Sequence, residues 1–294
     1  MVYEQITKNK LRTALLVVVF TALVLAVGWA FGEWSGWGAG GLVLALVFVT
    51  FMTFGSYWYS DRVVLSISRA RPVDKQREPY IVNTIEGLAI AAGLPVPRAY
   101  VIDDPAPNAF ATGRDPEHAA IAVTTGLVQK LDRLELEGVI AHELSHIANR
   151  DTLVQTLAAV LGGSVTLLSE WMLRSLWWGG GRRRDSGAAG AVLGLVALVL
   201  MVLAPVFAMM IQMAISRQRE FLADANAALL TRYPDGLASA LRKIASDTNR
   251  LRVANKATAP LYIYNPLKDY RGGLNSLFDT HPPIEERIRR LEAM

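Results

Sequence analysis

The sequence of 294 residues contains no cysteine. That excludes a secreted domain stapled by disulfides, and any metal site built on thiolates. Charge is thin: Asp, Glu, Lys and Arg make up 19% of the residues, against about 25% in an average soluble domain. The net charge of +4 is too even a balance to mark a nucleic-acid partner. Histidine occurs only four times. What is abundant is apolar: 52% of the residues are hydrophobic, and the mean hydropathy is +0.28. So much apolar surface excludes a disordered chain. A membrane protein, or a globular protein with an unusual core, is left.

Long uncharged runs decide between these. Residues 13–31, 34–60 and 186–216 carry no Asp, Glu, Lys or Arg, and each reaches the roughly 20 helical residues that cross a bilayer. A fourth uncharged stretch, 152–169, continues past Glu170 and Arg174 to Trp178. Those charges are costly in lipid, so this stretch is either a span or a buried helix. The first run follows Lys8, Lys10 and Arg12, as a cleaved signal would, but it is too long and no small-x-small site follows it. Arg62, Arg69, Arg71, Lys75 and Arg77 follow the second run, whereas the tip at 32–41 holds Glu33 and no basic residue. Both ends of the hairpin are therefore expected in the cytoplasm. Trp29, Trp34 and Trp37 surround the tip as an interfacial belt would. Arg182, Arg183 and Arg184, in the Gly-rich linker 179–187, oppose this rule if the last two stretches both span. That pair either crosses the bilayer or forms a shallow inserted hairpin.

The remaining sequence reads as soluble. Residues 79–93 predict a helix with Ile81, Ile85, Leu88 and Ala92 on one face. Strands are expected at 99–102 and 119–124, with a turn-rich extended segment, PAPNAFATG, between them. From Asp132 the pattern is helical through to Asp151. Residues 217–294 are mostly helical and polar, interrupted at YPDG and by an irregular stretch from 254 to 275. The expected organisation is a membrane hairpin at 1–60, one half of a catalytic domain at 61–151, a second inserted pair at 152–216, and the other half at 217–294.

The chemistry is concentrated in His142-Glu143-Leu144-Ser145-His146, an H-E-x-x-H motif. Residues four apart share a helix face, so both imidazoles can reach one zinc ion. Glu143 can then take a proton from water at the open position and pass it to a leaving amine. A catalytic zinc needs a third protein ligand. His118, His281 and several carboxylates are available, and the sharpest candidate is Glu220, with Asp224 four residues on. Glu220 would bind the metal and Asp224 would hydrogen-bond a ligating imidazole. On spacing alone, a solvated face with Arg217 paired to Glu220 fits equally well.

NAFATG at 108–113, HELSHIANRD at 142–151, REFLAD at 219–224 and HPPIEERI at 281–288, in that order, resemble the HtpX branch of integral-membrane zinc metalloproteases. That group is related to the prenyl-protein endoproteases that process CaaX proteins. The resemblance runs over nearly the whole chain. It implies a mainly α fold with a small β-sheet, a zincin-like (gluzincin) catalytic domain and about four transmembrane or membrane-inserted helices. It implies one Zn2+ per chain, held by His142, His146 and Glu220, with Glu143 as catalytic base and Asp224 supporting the ligands. It further implies that Asn108, Ala109, Phe110 and Ala111 form an edge strand that pairs with extended substrate. His281 would stabilise the oxyanion, although on sequence it can equally mark the start of a helix capped by Thr280 or Asp279.

The expected activity is that of a multi-pass membrane zinc endopeptidase in a prokaryotic cell membrane. Its site would face the cytoplasm and cut misfolded or damaged membrane proteins, with the lipid bilayer and polypeptides as partners and no nucleic acid. Two alternatives are a CaaX-type processing protease and a non-catalytic metal-binding scaffold. The first usually needs more spans than this length supplies. The intact Glu143 argues against the second. A motif buried inside a span, as in intramembrane proteases, is disfavoured by Asp132, Arg133, Glu135, Glu137, Arg150 and Asp151 around it.

Overall fold

The computed structural model describes residues 2–161, 217–253, 258–266 and 282–294. The expected span at 186–216, most of the one at 152–178, and His281 with its flanking residues lie outside the described residues.

Two long helices open the chain, α1 (Val2–Ser35) and α2 (Ala39–Ile67). Both are long and apolar enough to cross a membrane, over Ile6–Ala26 and Ala39–Ile67. Gly36 and Gly38 make the turn between them, with φ of 75° and 47°, a region that costs glycine little. Near the turn the helices meet on small residues. A methyl group on Gly28 would overlap Ala45, and one on Gly41 would overlap the backbone at Gly28 and Gly32. This is the small-residue contact by which helices associate where no hydrophobic effect separates them from their surroundings. Val43, Val47, Phe51 and Phe54 point outward and are exposed. The inner face carries Leu16, Phe20 and Val49 onto Val154, Ala158 and Leu161 of a further helix, α6 (Asp151–Leu161).

A four-stranded mixed sheet follows: β1 (Arg71–Pro72), β2 (Arg98–Ile102), β3 (Ala109–Thr112) and β4 (Ala120–Thr124), in the order β1-β2-β4-β3. β4 runs parallel to β2 and antiparallel to β3, with Phe110 opposite Ala122. Every residue of β3 and β4 is buried, which explains why both read as short apolar runs and not as alternating patterns. Helix α3 (Pro79–Ala91) lays Ile81, Ile85 and Ala89 on the core. Proline at its first turn costs nothing there, because that N–H has no helical partner.

Thr124 caps a short helix, α4 (Thr125–Lys130), by accepting the Leu127 N–H. Helix α5 (Arg133–Ala148) begins with a capping box: Asp132 accepts the Glu135 N–H, and Glu135 accepts the Asp132 N–H. The other half of the domain wraps α5. Helices α7 (Arg217–Thr231), α8 (Pro234–Ser246) and α9 (Ile284–Glu292) complete it. α7 and α8 pack on α5, and α9 packs on α8 and α7. Leu237, Leu241, Ile244, Ile284 and Leu291 share one core with Val139, Ile140 and Leu144.

The structure differs from the sequence reading at the end of α5. The helix stops at Ala148 instead of running on to Asp151. Arg150 adopts φ 55°, and α6 starts at once with Asp151. Neither glycine nor proline marks this break. Its result is that Asp151 turns back against the helix it follows.

Candidate active site

Helix α5 supplies His142, Glu143 and His146, all buried by the sheet on one side and α7 on the other. Glu220 enters from the first turn of α7. His142, His146 and Glu220 each offer a ligand atom, and the three atoms lie within 4.8 Å of one another. The two Nε2 atoms are 3.2 Å apart. His146 Nε2 stands 3.4 Å from Glu220 Oε1, and His142 Nε2 stands 3.8 Å from Glu220 Oε2. A tetrahedral ion with bonds of about 2.0–2.1 Å holds its ligand atoms about 3.3 Å apart. The donor set therefore fits a tetrahedral metal ion.

Each imidazole is oriented from behind. His142 Nδ1 lies 2.9 Å from Asp224 Oδ1, and His146 Nδ1 lies 3.0 Å from Asp151 Oδ2. Such contacts fix the ring so that Nε2 faces the metal position. Asp224 was legible in its i,i+4 spacing from Glu220. Asp151 was not, because only the break at Arg150 brings it within reach of His146. Glu220 and Asp224 are 1% and 2% exposed, which excludes the solvated-face reading of this pair. His118, the other candidate ligand among the described residues, bonds Asp115 at the surface.

A further residue absent from the sequence reading completes the site. Arg287 on α9 is 1% exposed. It grips Asp224 with Nε at 2.9 Å and Nη2 at 2.7 Å. Its Nη1 donates to the Ile263 carbonyl at 3.1 Å and stands 3.7 Å from Glu220 Oε2. The available signal was a single charge in the stripe Ile284, Arg287, Leu291, the buried residues of α9. Burial opposes the charge of Arg287, but Asp224, Glu220 and Glu143 outweigh it and raise its pKa.

Burial pushes Glu143 up to about 7, with Glu220 adding to the rise and His146 and Arg287 opposing it. That is the range in which one carboxyl group can serve as base and then acid near neutral pH. Burial takes His142 down to about 4 against the pull of Asp224. For His146 burial works the same way, but the Asp151 bond and the charges of Glu220 and Glu143 prevail and raise it to about 9. The two rings thus differ in their hold on a proton because of their partners.

The four strand residues divide. The backbone of Ala111 lies against the Glu143 carboxylate and opposes the rise of its pKa. Phe110 points away and stacks edge-on against Tyr262 at 5.0 Å. Ahead of it the outer edge of β3 is already paired within the chain. The Ile263 N–H donates to the Ala109 carbonyl at 2.9 Å, and Asn108 Nδ2 donates to the Tyr264 carbonyl at 2.9 Å. Sequence patterns gave no hint of this pairing, because Tyr262 to Tyr264 lie in the stretch read as irregular.

Known proteins resemble this chain. The profile of peptidase family M48 matches residues 75–294. A protease HtpX homolog of Dictyoglomus thermophilum is 50% identical over 292 residues, covering 99% of this chain and 94% of that one. Another, from Ligilactobacillus salivarius, is 47% identical over 298 residues, covering 100% of both. The crystal structure of S. mikatae Ste24p is similar at a TM-score of 0.49 and 18% identity, covering 99% of this chain and 67% of that one. With the match extending over most of its length and the relatives matching it from end to end, this chain belongs to peptidase family M48 and is a metalloprotease.

Proposed function

We propose that the protein is a membrane-anchored zinc endopeptidase whose site faces the cytoplasm and cuts misfolded or damaged membrane proteins. The observation that carries this reading is the convergence of His142, His146 and Glu220 around one point, with Glu143 beside it and strand β3 alongside. Two nitrogen donors and one oxygen donor, all buried, suit zinc better than magnesium or calcium, which prefer oxygen.

Bound zinc supplies Lewis acidity, polarising the scissile carbonyl and acidifying a water. Glu143 takes the proton from the attacking water and returns it to the leaving amine. The β3 edge past Ala109, whose carbonyl Ile263 covers, runs beside Glu143 at Ala111, and extended substrate is taken to enter at that end. Pairing through the backbone reads extended shape with little regard for side chains, which suits unfolded substrates. The resemblance assigns His281 to the oxyanion.

Helices α1 and α2 supply the anchor. Lys8, Lys10 and Arg12 at the head of the first span and Arg62, Arg69 and Arg71 at and after the end of the second favour hairpin ends in the cytoplasm by the positive-inside rule. The catalytic domain follows directly from that side.

The test is metal analysis with casein hydrolysis in detergent, on wild type beside Glu143→Gln. The expected result is one Zn2+ per chain in both and a loss of about 10²-fold or more in rate for the variant. Hydrolysis by Glu143→Gln at the wild-type rate would overturn the reading.

A further inference from the structure

Asn9 lies near the start of α1, inside the apolar window Ile6–Ala26, yet it is 1% exposed. A buried amide in such a helix needs partners, and three are present. Its Nδ2 donates to Asp151 Oδ1 at 2.7 Å and to the Asn149 carbonyl at 2.9 Å. Its Oδ1 accepts from Arg219 Nη1 at 3.2 Å. The same Arg219 nitrogen stands 3.4 Å from Asp151 Oδ1.

These partners are the supports of the metal ligands. Asp151 presents its other oxygen, Oδ2, to His146 Nδ1 at 3.0 Å. Asn149 ends the helix that carries both histidines. Arg219 directly precedes Glu220. One amide on the first membrane helix thus clamps the end of α5, the carboxylate behind His146 and the residue beside the third ligand. We infer that Asn9 is a positioning residue for the metal centre: it holds Asp151 so that Oδ2 orients His146. The inference rests on the reading of His146 as a metal ligand.

A plain packing role for Asn9 makes a different prediction, and Phe20→Ala separates the two. Phe20 seats the same helix against α6 through apolar contact. Full-length protein in detergent is titrated with Zn2+ against a chromogenic chelator, and the Co2+ form is read by its visible absorption. Asn9→Leu is expected to weaken Zn2+ binding about 10–100-fold and to alter the Co2+ band. Asn9→Gln, which keeps the amide, is expected to recover part of the affinity. Phe20→Ala is expected to lower the thermal midpoint while binding Zn2+ as wild type does. Should Asn9→Leu not fold, Asn9→Ala removes the same amide with less added bulk and reads the same link, with the same loss of affinity expected.

Wild-type affinity and an unchanged Co2+ band in Asn9→Leu would overturn the inference, as would an equal loss in Phe20→Ala. A wild-type chain that binds no Zn2+, or a His146→Ala chain that binds it undiminished, would instead overturn the reading of the metal site on which the inference stands.

Discussion

Arg287 shows how much of this site depends on a residue that never meets the metal. Its guanidinium is shut away from water, with two nitrogens on Asp224 and a third on the Ile263 carbonyl. Arg287→Leu would leave the buried Asp224 carboxylate without its cation, a loss of about 3–5 kcal/mol. Arg287→Lys keeps the charge but not the planar fork, so its thermal midpoint is expected between those of wild type and the leucine variant. Thermal unfolding in detergent orders the three, and a leucine variant as stable as wild type would contradict the argument. The histidines and Glu143 were legible because a four-residue spacing states its own geometry. Arg287 and Asp151 were not, because their roles arise from tertiary placement: one from the docking of α9, the other from a left-handed residue at Arg150.

Elements are held to the site by two kinds of contact, close approach and charge. Gly138 on α5 faces the start of α8, where an added methyl group would sit 2.8 Å from Leu237 N and 2.9 Å from its Cα. Backbone cannot yield as a flexible side chain can. Gly138→Ala is therefore expected to destabilise by about 1–3 kcal/mol, measured as a lower thermal midpoint, despite the better helix propensity of alanine. At the far end of α8, Asp247 pairs with Lys130 at the end of α4. Burial alone would raise the Asp247 pKa, but Lys130 and Asn249 outweigh it and hold the group below its ordinary value. A lowered carboxylate contributes stability above its unfolded pKa of about 3.9 and loses it as pH falls through the folded value. Asp247→Asn should thus cost about 0.5–1 kcal/mol near pH 7, and the gap to wild type should close below about pH 4. Unfolding curves at both pH values check the sign, and a gap that widened on acidification would refute it. At this scale α3, β2, β4 and α5 could be read from period and caps. β1 could not, since two residues carry no period, and neither could the covering of β3 by Tyr262 to Tyr264, a long-range pairing without a local signal.

At the scale of the whole molecule, the long apolar stretch between Asp151 and Arg217 divides the catalytic domain into two pieces in sequence. The described structure closes that division through packing: α7 and α8 lie on α5, α9 joins them, and one core is common to both halves. Each of Leu237, Leu241, Ile244, Ile284 and Leu291 removed from water contributes about 1.5–3 kcal/mol. Polar contacts cross the same boundary, from Asp224 to His142, from Glu220 to His146 and from Arg219 to Asp151. An interface of that kind holds without a covalent link, because the linker contributes only the entropy of bringing the pieces together. Fragments 1–181 and 182–294 expressed together are therefore expected to copurify in detergent with one Zn2+ per pair. Fragment 182–294 expressed alone would lack both histidines of the motif and should bind Zn2+ weakly. Separation of the coexpressed fragments on a sizing column would show that the halves depend on the chain between them, and that the shared core is too weak to assemble the metal site by itself.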